Sequence, residues 1–218
     1  MKEKAGRVFS IAKENKPVAG CTISKAVSSE NGYYISHFSL VKGSSISQEN
    51  YRYPKLWLVL DGKLQMKGKF DKIELKAGDL ALTPVGVPVG ASAEEDCVYT
   101  EISLQEDTKM NEVLKSKEVF ALKEMLTYQE DKIVNMNLID EDTVMLSIMS
   151  FAAGTGLAEH AAPGEALIFA LDGEGIIGYE GKEYSIKAGE NFKFDKGGAH
   201  YVKAEKNFKM ALLLTFDD

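Results

Sequence analysis

The sequence predicts an all-β protein made of two similar halves, each a barrel or sandwich of short antiparallel strands. Three observations predict it. The chain of 218 residues matches itself without a gap when displaced by 111 positions, from Val8 on Val119 to Leu104 on Thr215. Within each half, runs of about four to eight residues rich in Val, Ile, Tyr, Phe and Leu are broken at close intervals by Gly, Asp-Gly or Lys-Gly. The residues that coincide under the displacement are mainly glycines and turn residues, which a repeated fold must keep because they set backbone geometry while other side chains drift.

The elements follow in order. Val8-Phe9 falls on Val119-Phe120, and VFALKEMLTY (119–128) leaves a helical stretch open near the start of each half. Ser36 and Ser39 fall on Ser147 and Ser150, and Gly43 on Gly154. Leu60-Asp61-Gly62 falls on Leu171-Asp172-Gly173, Lys76-Ala77-Gly78 on Lys187-Ala188-Gly189, and Gly86 on Gly197. KLWLVLDG, KLQMKGK and DKIELKAGD read as strands of the first half. VMLSIMSFA, EALIFALDG, GIIGYEG, KEYSIKAGE and FKMALLLTF read as strands of the second. Asp172-Gly173 and Glu180-Gly181 read as hairpin turns, because glycine accepts the positive φ that tight turns between twisted strands require. The halves span 7–105 and 118–217. The polar joint 106–117, within QEDTKMNEVLKSK, reads as a connection formed by a short helix or a loop.

Composition excludes several function classes. Net charge is −7 and the pI about 5.2, with both signs interspersed, so no basic stripe is available for nucleic acid or anionic lipid. The start MKEKAGRVFS lacks an apolar leader, and no apolar run approaches the length of a membrane span; the expectation is a soluble, cytoplasmic protein. Cys21 and Cys97 lack a CxxC spacing and read as two unpaired, buried thiols of a reducing compartment. Gly173-Glu-Gly175-Ile-Ile-Gly178 satisfies GxGxxG, but a hairpin pattern follows where a helix would have to open, so no nucleotide cofactor is expected. There is no GxSxG, P-loop or HExxH pattern.

The chemistry gathers in the second half. GLAEHAAPGEALIFALDG (156–173) carries His160 and Glu165, and His200 follows Gly189, Asp195 and Gly197. These residues resemble the two cupin motifs, G-x5-H-x-H-x3,4-E-x6-G and G-x5-P-x-G-x2-H-x3-N. Departures are Asp195 for proline, Ala204 for asparagine, Ala158 for the first histidine, the leading glycine at 154, and seven residues between Glu165 and Gly173 where the pattern has six. In the first half Gly78, Pro84 and Gly86 match, but Val89 replaces the histidine, and Ser47, Glu49 and Pro54 stand at the positions of the first motif. The resemblance covers nearly the whole chain, once per half. It implies a bicupin: two tandem double-stranded β-helix (jelly-roll) barrels with a few short helices, the first without metal ligands.

The resemblance implies a divalent metal (Zn, Fe, Mn or Ni) at His160, His200 and Glu165, since imidazole nitrogen binds these ions and a carboxylate offsets their charge. The same histidines also suit a second role, as hydrogen-bonding residues of a pocket that has lost its other ligands. Strand alternation points Glu159 the other way. The expected function is binding or sensing of a small polar ligand; the alternatives are a metal-dependent dioxygenase, isomerase or decarboxylase, and a structural protein with filled pockets. His37 reads as a satisfied core or surface histidine, and QENYRYPKLW as the lining of a small pocket or a packed loop. Exposed sheet edges make a homodimer the expected assembly.

Overall fold

The computed structural model describes residues 1–29, 33–69 and 71–216; residue 217, the expected end of the second half, lies outside them. The first half runs through β1 (Val8–Phe9), a one-turn helix α1 (Ile11–Glu14), β2 (Thr22–Ser28), β3 (Tyr34–Leu40), β4 (Ser45–Asn50) and β5 (Lys55–Asp61). It continues with β6 (Lys63–Lys67), β7 (Lys72–Lys76), β8 (Asp79–Leu82), β9 (Pro88–Ala93) and β10 (Cys97–Ser103). The second half runs through β11 (Val119–Ala121), a 3-10 turn (Leu122–Glu124), β12 (Ile133–Asp140), β13 (Val144–Phe151), β14 (Thr155–Ala161) and β15 (Glu165–Tyr179). It ends with β16 (Lys182–Lys187), β17 (Asn191–Phe194), β18 (Ala199–Ala204) and β19 (Phe208–Thr215). The all-β expectation holds, and VFALKEMLTY yields a short strand and the 3-10 turn.

Each half is a two-layered jelly roll. In the first, β2-β3-β10-β5-β8 forms one sheet and β4-β9-β6-β7 the other. In the second, β12-β13-β19-β15-β17 and β14-β18-β15-β16 repeat the plan. The registers coincide under the 111-residue displacement: Thr100 opposes His37 as Ala211 opposes Ile148, and Leu64 opposes Leu75 as Gly175 opposes Ile186. Alternation along the strands divides the apolar residues between barrel interiors and a shared core. Trp57 and Val59 face into the first barrel, while Leu56 and Leu58 join Ile148, Leu167 and Leu213 in a cluster between the two halves.

Asp172-Gly173 is not a hairpin turn. β15 continues through it, leaving β17 and β19 for β16 and β18. The chain bends from one sheet into the other there, so the flanking runs never pair. Gly173 has φ +71°, and a Cβ there would lie 2.0 Å from the Asn207 carbonyl oxygen; Gly62, with φ +72°, has the same relation to Asp96 at 1.9 Å. Both reasons for glycine therefore survive, serving a sheet crossing. Glu180-Gly181 is a true hairpin turn between Tyr179 and Lys182, with positive φ at both residues (47° and 74°). The GxGxxG run lies inside β15, and no helix follows it.

The division at the joint is not a clean one. β1, expected in the first half, pairs with β17 of the second (Val8 opposite Phe192), and β11 pairs with β8 of the first (Val119 opposite Ala81). Each half thus lends a two- or three-residue arm that covers an edge of the other's sheet. The joint also packs: Leu114 is buried, and bridges join Leu82 with Ser116 and Met110 with Ile139. Of the two free thiols, Cys97 is buried and its pKa pushed up to about 12 by that burial, whereas Cys21 is exposed.

Candidate functional site

His160 and His200 come together. They oppose each other on β14 and β18, their ring centroids 4.2 Å apart and the planes at 54°. A bulge makes this possible. From Leu157, which opposes Val202, three steps along β14 match two along β18. Simple alternation would turn His160 away from Leu157's face, and the extra residue returns it to the face of His200. The first half has the same bulge between Ile46 and Glu49, and there Glu49 opposes Val89.

The surroundings fix the state of both rings. His160 Nδ1 donates to the Ala158 carbonyl at 2.9 Å, and His200 Nδ1 to that of Gly198 at 3.1 Å. A carbonyl only accepts, so in each neutral ring the proton sits on Nδ1 and Nε2 carries the lone pair. Burial lowers the pKa of His200; the Gly198 carbonyl opposes that shift, and charge on His160 adds to it. His200 is buried and His160 exposed. Beneath them the Phe194 ring stacks on His200 at 4.0 Å, and Phe192 and Tyr179 complete an aromatic floor. Phe194 and Tyr179 were not singled out in the sequence; the alternating FKF run (192–194) before His200's glycines is a signal for Phe194 but not for Tyr179, which lies at the end of another strand. The rest of this barrel is filled, with Phe151, Phe208 and Met210 in its core.

Glu165 does not join the histidines. Ala166, Ile168 and Ala170 take the inward positions of β15, which leaves Glu165 on the outer face. Its Oε1 accepts from the Lys193 ammonium at 2.6 Å, and its Oε2 pairs with the N-terminal amine of Met1. Lys193, itself buried, also reaches Asp195 at 2.6 Å. The one-residue displacement in the motif is the physical reason: a step of one along a strand exchanges its faces. Among the described residues no group of three or more His, Cys, Asp or Glu is placed to hold a metal ion. The donor set of two imidazoles without a carboxylate does not fit the divalent-metal centre expected from the sequence, since such centres take three or more protein ligands.

His37 is a core histidine. Its Nδ1 lies 2.9 Å from Thr100 Oγ1, while Nε2 has no hydrogen-bond partner among the described residues and stands 3.7 Å from Glu3 Oε1. Burial lowers its pKa to about 4, against the opposing effect of Glu3.

Comparison with known proteins agrees with the fold. Residues 147–216 match the family model of the cupin domain. The chain is similar over 98% of its length, and 98% of the other's, to a cupin 2 conserved barrel domain protein from Leptotrichia buccalis, at 28% identity and a TM-score of 0.86. A salicylate 1,2-dioxygenase from Pseudaminobacter salicylatoxidans shares the fold at 12% identity and a TM-score of 0.63, with 88% of this chain and 76% of that one covered. Protein Ylba from E. coli does so at 12% identity and 0.61, covering 95% and 89%. No curated protein matches the sequence.

Proposed function

We propose that the protein is a bicupin that binds a small polar ligand at the imidazole pair of its second barrel, as a binding or sensing protein. The observation that carries this reading is the facing pair of His160 and His200 on one strand face, each ring oriented by a backbone carbonyl with Nε2 left as an acceptor. A ligand hydroxyl, amide or ammonium would donate to these nitrogens while its apolar edge lies on Phe194. Burial keeps His200 in the accepting, neutral form at neutral pH. The equal registers of the two halves support their origin by duplication. The one-sided edge strands β2 and β12 favour a homodimer, which light scattering of the purified protein tests.

The metal-dependent enzyme is the less favoured reading, since the carboxylate it requires is tied to Lys193. The dioxygenase shares only the fold at 12% identity. Native mass spectrometry of the untagged protein, joined to a thermal-shift panel of sugars, polyols and hydroxy acids, tests the proposal. The expected result is a small-molecule adduct or a stabilising compound, lost in His200→Ala and weakened in His160→Ala. No adduct and no stabilising compound, or a response that both variants retain, would overturn it.

A further inference from the structure

The stretch QENYRYPKLW, which the sequence leaves as pocket lining or packed loop, lines a cavity of about 720 Å³. That volume lies within the range of small-molecule sites. We infer that this cavity, at the junction of the first barrel with the joint and the second half, is a second binding site, and that its ligand is a small organic cation of the substituted-ammonium class.

Two features carry the inference. The first is aromatic: Tyr33, Tyr34, Tyr51 and Tyr53 all line the cavity, and the negative π face of a phenol attracts an ammonium group; the protein's own Lys55 ammonium already stands over the Tyr51 ring, 4.2 Å from its centre, so the exposed Tyr34 ring is the one that receives a ligand cation. Among the described residues the Tyr34 and Tyr51 hydroxyls make no hydrogen bond within the protein. The second is charge. Lys55 enters the cavity but its ammonium is bound to Glu101 at 2.6 Å, and Glu101, buried, also accepts from Trp57 Nε1 at 2.8 Å. Arg52 lies over the Tyr53 ring, 5.1 Å from its centre. Against that single remaining guanidinium stand the carboxylates of Glu106, Asp107, Glu141 and Asp142. Glu106 accepts from the Tyr53 hydroxyl and Glu141 from the Lys109 amide, contacts that orient these carboxylates without cancelling their charge. An anion placed here would face four carboxylates; a cation gains from the rim and from the Tyr34 ring.

The second half has nothing comparable. Under the 111-residue displacement Tyr51, Tyr53 and Lys55 correspond to Ala162, Gly164 and Ala166, and Glu101 corresponds to Leu212. The two barrels thus differ in chemistry at the same place in the fold. The joint, read from the sequence as a connection, supplies Glu106 and Asp107, while Glu141 and Asp142 come from the turn between β12 and β13. The cavity therefore exists only while both halves are docked.

Trp57 is the only tryptophan, and by way of Glu101 it is two hydrogen bonds from Lys55, so its fluorescence reports on the cavity. The test titrates the full-length protein with tetramethylammonium and choline, with sodium chloride matching ionic strength, and with benzoate as an anion of similar size. A saturable change with the two ammonium compounds and none with benzoate is expected. The double variant Asp107→Asn/Asp142→Asn and the single variant Tyr34→Leu should each weaken choline binding about 5-fold, with unchanged circular dichroism. His200→Ala should leave choline binding intact, which separates this site from the imidazole pair. Absence of saturation with both cations, equal binding of benzoate, or unaltered affinity in the carboxamide and leucine variants would overturn the assignment.

Discussion

The Glu165 carboxylate receives the ammonium of buried Lys193 at 2.6 Å and the N-terminal amine of Met1 on its other oxygen. A residue whose motif position suggests a metal ligand thus compensates a buried cation and ties the start of the chain to the second half.

Glu165→Gln should therefore act on stability. Removing one partner of a buried pair costs several kcal/mol, and Asp195 remains to Lys193, so a loss of about 2 kcal/mol in urea unfolding is expected. Adding Lys193→Met should recover most of it, because no uncompensated charge is then left. A double variant as unstable as the single one would contradict this role.

Metal content should be low. Two imidazoles without a third protein donor hold a divalent ion weakly, so untagged protein dialysed against metal-free buffer is expected to carry less than about 0.1 equivalent of Zn, Fe, Mn or Ni by elemental analysis. Glu165→Gln should not change that value. A full equivalent, abolished by His160→Ala, would restore the metalloenzyme reading.

Stability should fall with acidification through His37. Its pKa drops from 6.5 to about 4 on folding, so below pH 6.5 the unfolded chain binds a proton that the folded one refuses. That contribution is fully present above pH 6.5 and is lost progressively as pH falls towards 4; it amounts to about 3 kcal/mol over the window. His200, also lowered by burial, acts in the same direction. His37→Gln should flatten the profile relative to wild type between pH 6.5 and 4; an unchanged slope in denaturant titrations would show that other groups govern it.

The exchanged arm should be measurable as well. Deleting residues 1–11 removes β1 together with Phe9 and Ile11, both buried, and the bond from the Ile11 amide to Asn191 Oδ1 at 3.0 Å. Phe9 and Ile11 belong to the cluster between the two halves, and at about 2 kcal/mol for each apolar side chain the protein should lose about 4 kcal/mol. Hydrogen exchange should quicken first at Asn191 and Phe192, and a peptide of residues 1–15 added in trans should slow it again. Faster exchange spread evenly over both barrels would argue against a local role for the arm.

The sequence by itself determined the repeated β architecture: the coincidence of Gly62 with Gly173 and of Gly78 with Gly189 marks backbone geometry that few other residues satisfy, and the strand registers follow the same displacement. It also singled out His160 and His200, because the spacing of histidine after Gly189 and Gly197 is a local property. What only the tertiary structure decided depends on counting across strands. The bulge between Leu157 and His160 turns one imidazole towards the other, and the one-residue displacement of Glu165 sends its carboxylate to Lys193. A linear pattern with period two cannot register an extra residue in one strand against its partner, nor can it show that β1 closes the edge of the distant barrel. The tyrosine-lined cavity was legible as residues but not as a place, since its acidic rim arrives from the joint and from the β12–β13 turn only when the two halves dock.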